Sequence, residues 1–408
     1  MLNRFWAGLW IVSFVAIGLQ LFAGNSAVLG DVVDSLFSMA KLSAEIAIGL
    51  VGILTLWMGL MALAEKSGLV QIFAKILEPI LAPLMPTIPR GDKAFGSVTM
   101  NLMANVFGLD NAATPLGIKA MQDLQVHNPS DVNASPAQML FLVLNSSSVT
   151  LIPITVFLFR AQQGAPNPAE VFVPIVLATC ASTLVGLIAV SIVQRINLLQ
   201  WRLLLPLVGF LSVLALIVVS LANLASEQLQ QVSTLTGNGA VLALVFGFIL
   251  FATVKKLAIY EVFIEGAQGG FKQAITLIPY LVAMLIAIGA LRGSGALDYL
   301  LDALGFVVLL LGGDLRFIDA MPTALMKPFS GSGARAMMLE TMHTYGVDSF
   351  QARLAALFQG STETTLYVIA VYLGAVRLKN AGHALWCGLL ADVGGITAAI
   401  GLAYWFYG

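Results

Sequence analysis

The stretch Met321–Thr365, MPTALMKPFSGSGARAMMLETMHTYGVDSFQARLAALFQGSTETT, decides how the rest of the chain is read. It sets Lys327, Arg335, Glu340 and Glu363 inside a protein that is otherwise extremely apolar. The run Pro328-Phe-Ser-Gly-Ser-Gly-Ala cannot continue a helix smoothly. Pro lacks a backbone donor and clashes with the preceding turn, and the two Gly favour a reversal. A helix, a tight polar tip and a second helix are therefore expected over 317–343, a hairpin too short to cross a bilayer twice. Gln359-Gly-Ser-Thr-Glu-Thr-Thr then interrupts the next apolar helix with consecutive polar groups. Non-helical backbone and ionisable groups survive at membrane depth only where protein buries them or water reaches them. The stretch reads as a solute or ion site.

The composition supplies the membrane. Of 408 residues, 59% are hydrophobic and 10% charged, with a mean hydropathy of +0.93, against roughly 25% charged in soluble domains. A net charge of −1 and the lack of a basic stripe argue against a nucleic-acid partner. Cys180 and Cys387 sit in apolar runs and form neither a disulfide framework nor a metal pattern. His127, His343 and His383 have no second ligand at metal spacing. No metal site, no soluble nucleotide-binding domain and no catalytic constellation is read, so an enzyme is not expected.

Apolar runs long enough to span a bilayer fall at 5–23, 43–64, 137–159, 171–194, 203–223, 238–255, 273–292, 351–376 and 383–407. The first, which could also serve as a signal peptide, is expected to be retained as a helix. Segments 94–121 and 317–343 differ, because Gly, Asn, Asp and Pro break each in the middle. Arms of about 13 residues reach roughly 20 Å, so both are expected to be re-entrant hairpins. The halves also repeat each other: Ala40–Val70 matches Ala267–Leu297, and Met100–Met121 matches Met321–Met342. Likewise, the run from Phe141 to Thr150 matches that from Ala355 to Thr364. With the N-terminus inside, 13 Lys and Arg lie on the cytoplasmic side and 7 outside, as the positive-inside rule asks. The matched helices then run in opposite directions, and inverted repeats with broken helices characterise secondary transporters.

Asn105-Val-Phe-Gly-Leu-Asp-Asn-Ala-Ala-Thr-Pro-Leu-Gly-Ile-Lys-Ala-Met resembles the spore maturation protein A family. Pro328-Phe-Ser-Gly-Ser-Gly-Ala-Arg, Leu339-Glu-Thr-Met and Gln359-Gly-Ser-Thr-Glu-Thr-Thr resemble the spore maturation protein B family. The chain looks like a fusion of the two, with 1–198 the A-like half and 199–408 the B-like half, the latter opening with two linking helices. Both families belong to the nucleoside-recognition Gate group, which is similar to concentrative nucleoside transporters and to the membrane part of ferrous-iron transporters. The resemblance implies an all-α polytopic membrane protein in a bacterial inner membrane. It would have about nine transmembrane helices plus two re-entrant hairpins in two inverted repeats, and a homodimer is plausible from the fold group.

In this fold each hairpin tip is expected to face the broken helix of its own repeat. The first repeat offers Asp110, Asn111 and Thr114 at the tip and Asn145, Ser146, Ser147, Ser148 and Thr150 in the break. These are hard oxygen donors of the kind Na⁺ sites use, with Asp110, Asn145, Ser148 and Glu363 the first guess for a coupling cation such as a bound Na⁺. Set against that, Ser and Thr often bond the preceding turn's carbonyl. The second repeat offers Lys327, the amides of Ser330, Gly331, Ser332 and Gly333, Arg335, Gln359, Ser361, Thr362 and Glu363. A helix N-terminus and an arginine fork suit an anion, and Glu363 suits an amine or hydroxyl. A Glu363–Arg335 or Glu363–Lys327 ion pair would be the structural alternative. The expected function is secondary transport of a small nucleoside-like or carboxylate-like solute by alternating access, with Na⁺ or H⁺ coupling. The competing expectation is a membrane scaffold or sensor that acts through a partner.

Overall fold

The computed structural model describes residues 2–106, 110–310 and 312–408. The side chains of Asp110 and Asn111 lie outside the described residues. The chain opens with α1 (Leu2–Phe22), the long α2 (Val28–Lys66) and α3 (Leu69–Leu81). The first hairpin is α4 (Lys93–Val106) and α5 (Asp110–Gln125), and the helix after it is broken into α6 (Pro136–Ser146) and α7 (Ile154–Gln162). Next come α8 (Phe172–Gln194) and the two linking helices, α9 (Trp201–Leu221) and α10 (Ser226–Val254). The second half repeats the order with α11 (Ile259–Gly293), α12 (Ala296–Leu310), hairpin α13 (Met321–Met326) and α14 (Gly331–Tyr345), broken helix α15 (Phe350–Ser361) and α16 (Thr365–Ala375), and α17 (Ala384–Tyr407).

No strand occurs among the described residues, and α8, α9, α10 and α17 are each long and apolar enough to cross a membrane. The chain is an all-α multi-pass membrane protein. The apolar runs at 137–159 and 351–376 are each two half-helices with non-helical backbone between them. The helix starts follow local chemistry. Ser135 caps α6 with a full capping box: its hydroxyl accepts from the Gln138 amide at 3.3 Å, and its own amide donates to Gln138 Oε1 at 2.8 Å. Ser349 caps α15 in the matching place by accepting from the Ala352 amide at 3.1 Å.

Matched helices pack on each other, antiparallel. On α11, a Cβ at Gly266 would lie 2.4 Å from the Met58 carbonyl and one at Gly270 2.5 Å from that of Leu54, so a side chain at either would drive α2 away. As α11 advances from 266 to 293 its neighbours on α2 fall back from Met58 to Val32. α8 and α17 do the same, with Gly186 against Ala391 and Gly394 against Val185. Opposed directions of equivalent helices are what a two-fold axis in the membrane plane requires.

The loop between hairpin and broken helix in each repeat is tied to the far end of the other repeat's broken helix. At one end the ties are neutral: Ala134 donates its amide to the Asn380 carbonyl at 3.0 Å, and Lys379 and Asn380 donate theirs to Val132 at 3.0 and 3.1 Å. At the opposite end they are ionic and centred on a buried pair, Arg160 and Glu170. Arg160, with no exposure, donates to the Val347 carbonyl at 3.1 Å, to Asp348 at 3.2 Å and to Glu170. Arg353 forks onto the same Glu170 at 2.8 and 3.2 Å.

Removing one member of a buried ionic cluster strands the others, at about 3–5 kcal/mol, whereas an exposed pair contributes about 0–1 kcal/mol. Glu170→Ala is therefore expected to lower the thermal unfolding midpoint in detergent far more than Glu265→Ala, which removes the exposed Lys66–Glu265 pair. In the loop before α4, Asp92 accepts from the Ala94 amide at 2.8 Å and lies 2.9 Å from His127. The amide first, then His127 and Lys93, hold its carboxyl below the usual value of 3.8. A depressed carboxylate stabilises the fold above its unfolded pKa and ceases to as pH falls through its folded pKa. Asp92→Ala should thus lower the midpoint at neutral pH, with the difference closing below about pH 3.8.

Candidate functional site

The two breaks meet. The Glu363 amide, freed by the end of α15, donates to the carbonyl of Ser146, the last residue of α6, at 2.9 Å. Each break is also tied to its own hairpin, twice and in the same way. In the first repeat the Leu151 amide donates to the Val106 carbonyl at 3.1 Å and Asn105 Nδ2 to Asn145 Oδ1 at 2.9 Å. In the second the Leu366 amide donates to the Pro328 carbonyl at 2.9 Å and Lys327 Nζ to the Gln359 carbonyl at 2.7 Å. Lys327 is only 4% exposed, so its charge acts in protein rather than in water.

Between these ties lies a cavity of about 80 Å³ lined by Thr150, Ile152–Val156, Lys327, Gly331, Arg335, Gln359, Gly360, Glu363 and Thr364. Residues from both breaks and from the second hairpin therefore face one space. Arg335, on the first turns of α14, lies over the Phe159 ring at 5.1 Å, a stacking that holds its fork in place. Ser330 caps α14 by accepting from the Gly333 amide at 3.1 Å and sits 3.2 Å from the Ser332 hydroxyl. A Cβ at Gly331 would come within 2.8 Å of Thr364 Oγ1, so glycine there lets the tip sit against the second break. The Gln359 side-chain oxygen is buried without a partner among the described residues. Lysine, arginine, a helix N-terminus, a carboxylate and hydroxyls together can hold a small solute with one anionic and one hydroxyl or amine end.

The first repeat's expected donors divide. Asn145 is spent on Asn105 and on the Phe141 carbonyl at 3.0 Å. Ser146 and Ser147 bond back to Leu142 and Val143, each at 2.9 Å, and Thr183 donates to the Ser147 carbonyl. Ser361 likewise turns back to Phe358 at 3.2 Å. These hydroxyls hold the ends of the half-helices and do not line the cavity. Thr114 is half-buried on α5 and is not in the lining. Ser148 faces away, into an apolar cavity of about 420 Å³ shared with Val106, Val149 and Leu151. The non-helical stretch after α6 divides between the two spaces: Ser148, Val149 and Leu151 meet the apolar cavity, Thr150 and Ile152 the polar one.

Thr150, expected among the first break's donors, does line the cavity, whereas Thr155 and Phe159 were not singled out in the sequence. Asn105 was not either, though it stands at the hairpin position Lys327 occupies in the other repeat. Glu340, grouped in the sequence with the site charges, is bound to Arg292 at 2.8 Å and to Thr344 at 2.8 Å.

A family model described as Gate, nucleoside recognition, matches residues 47–162 and 274–379. Both breaks and the whole cavity lining fall inside those matches. Spore maturation protein B of Bacillus subtilis (strain 168) is 46% identical over 157 residues, 38% of this chain and 86% of that protein. Spore maturation protein A of the same organism is 41% identical over 182 residues, 45% of this chain and 90% of that protein.

Thiol reagents discriminate a lining residue from a buried cap, since reactivity follows access. With the buried Cys180 and Cys387 replaced by Ser, Glu363→Cys should react with a small methanethiosulfonate reagent at least about ten-fold faster than Ser147→Cys.

Proposed function

We propose that this chain, which belongs to the nucleoside-recognition Gate family and joins relatives of spore maturation proteins A and B in one polypeptide, is a secondary transporter moving a small polar solute by alternating access. One observation carries the reading: two helix breaks, one from each repeat, are joined at Glu363 and Ser146 and share a polar cavity with a hairpin tip. In a membrane protein, unwound backbone of this kind serves where something passes or binds.

The ties are of a strength that a solute can work against. A neutral hydrogen bond contributes about 0.5–1.5 kcal/mol and one to a charged group about 1.5–3 kcal/mol. Two per hairpin amount to a few kcal/mol, within the reach of a ligand's differential affinity for open and closed states. One hairpin would release while the matching ties of the other hold.

The cavity has room for about five to eight waters at 10–15 Å³ each. It fits a small carboxylate or amino acid in this conformation; a nucleoside would need the second hairpin to swing aside. Arg335 and the Gly331–Gly333 turn would take the anionic part, Glu363 and the Gln359 oxygen an amine or hydroxyl. Na⁺ or H⁺ would drive the cycle. The charge bias of 13 to 7 supports an inner-membrane protein with a cytoplasmic N-terminus. The reading is of a transporter and not an enzyme.

A thermal-shift screen of the purified full chain with nucleosides, amino acids and small carboxylates, each in Na⁺ and in K⁺, tests it. A ligand at a hundredfold excess over its Kd stabilises the folded state by about 2.7 kcal/mol. One class should raise the midpoint, and Arg335→Ala and Glu363→Gln should remove the shift while the proteins stay folded. If no solute shifts the midpoint, the scaffold or sensor reading takes its place.

A further inference from the structure

The last helix carries a carboxyl that neither the cavity nor the ion pairs use. Asp392 stands in the middle of α17 and is 2% exposed. Thr365 Oγ1, at the start of α16, donates to Asp392 Oδ2 at 2.7 Å, while Asp392 Oδ1 has no hydrogen-bond partner among the described residues. Thr362, in the second break, is 3% exposed and its hydroxyl is likewise without a partner. That hydroxyl lies close enough to bear on the carboxyl. The approach is built in: a Cβ at Gly395 would lie 2.6 Å from Thr362 Cγ2 and one at Gly388 2.7 Å from Thr365 Cγ2. Glycine at both positions lets α17 lie directly on the break.

An ionised carboxylate at membrane depth is costly, and a buried oxygen with nothing to accept from is costly again. The charged groups near enough to act on Asp392 are Lys327 of the second hairpin and Glu363 of the break. Lys327 already donates to the Gln359 carbonyl. From α8 comes only the uncharged Ser182, which donates to the Ala391 carbonyl at 2.9 Å. A Thr362 O–H turned onto Oδ1 would give both orphans a partner but keep the buried charge; one proton on Oδ1 gives both a partner and removes the charge as well. The resulting O–H donates to Thr362 Oγ1, and Thr365 continues to donate to Oδ2.

We propose that Asp392 is a proton-binding site of the second break, occupied in this conformation and emptied when Thr362 and Thr365 separate from it. The proton is taken from and returned to water, with no bond other than O–H made or broken. Its part in coupling rests on the transporter reading; its occupancy does not. The hydrogen-bonded carboxyl would make the conformation of the break, and hence the hold of the second hairpin, dependent on protonation.

Infrared difference spectroscopy of the full chain in lipid nanodiscs, between neutral and strongly alkaline pH, reads the site directly. Expected is a carbonyl band of one protonated carboxyl at neutral pH. It should be lost in Asp392→Asn, kept in Glu363→Gln, and moved in Thr362→Val, where its hydrogen-bond acceptor is gone. No band in the wild type, or a band that survives Asp392→Asn, overturns the proposal. So does a band that vanishes when Na⁺ replaces K⁺ at constant pH, which would make the occupant a metal cation. Should Asp392→Asn fail to fold, the Thr362→Val shift decides alone, and an unmoved band overturns the proposal. Solute flux without the band would remove the proton site and leave transport standing; the band without flux would keep the site and remove its coupling role.

Discussion

Backbone that leaves a helix inside a bilayer must find its hydrogen bonds in other protein, because the hydrocarbon offers none. In this chain the two repeats solve that together: the amide freed at Glu363 is satisfied by the carbonyl freed at Ser146. Everything near the site follows from that joint. It brings the breaks into contact, so each hairpin can rest on a break with the same pair of ties. It also leaves Thr150, Ile152–Val156, Gln359, Gly360, Glu363 and Thr364 facing one cavity.

The repeats match in architecture and differ in chemistry. Where the first uses Asn105 and Asn145, the second uses Lys327 and the Gln359 carbonyl, a charged bond for a neutral one. The same contrast appears at the two ends. A neutral backbone ladder between Val132–Ala134 and Lys379–Asn380 stands opposite the buried Arg160–Glu170 pair, which Arg353 and the part-exposed Asp348 complete. A buried ion cluster has a larger penalty for partial opening than a set of neutral hydrogen bonds. The neutral end is the cheaper one to part, and the asymmetry gives the inverted repeats distinguishable halves.

Much of the fold was legible because membrane depth makes polar residues conspicuous. Pro328 with Gly331 and Gly333 marked a hairpin, Gln359–Thr364 a break, and the repeat of both marked the symmetry. The division of labour within the first break was not legible. Asn145-Ser-Ser-Ser reads as a row of oxygen donors, yet whether a serine turns back to its own helix or outward depends on where the half-helix ends. That end, at Ser146, is set by the contact with Glu363, more than two hundred residues away. The surroundings of Asp392 were hidden for a similar reason: only the approach of α17 onto Thr362 and Thr365 shows what the carboxyl faces. Arg160 and Glu170 stand at the ends of two apolar runs, where nothing in the sequence marks them as partners; Arg353 of α15 and Tyr407 of α17 close over Glu170.

The most direct test of the central claim is counterflow into proteoliposomes. The full chain is reconstituted, preloaded with unlabelled nucleosides, amino acids or small carboxylates, and supplied with a trace of the labelled solute outside. The account predicts transient accumulation of label for one of these classes, and its loss in Glu363→Gln. Uptake no greater than that of protein-free liposomes for every class, from protein that is folded in the bilayer, would contradict it.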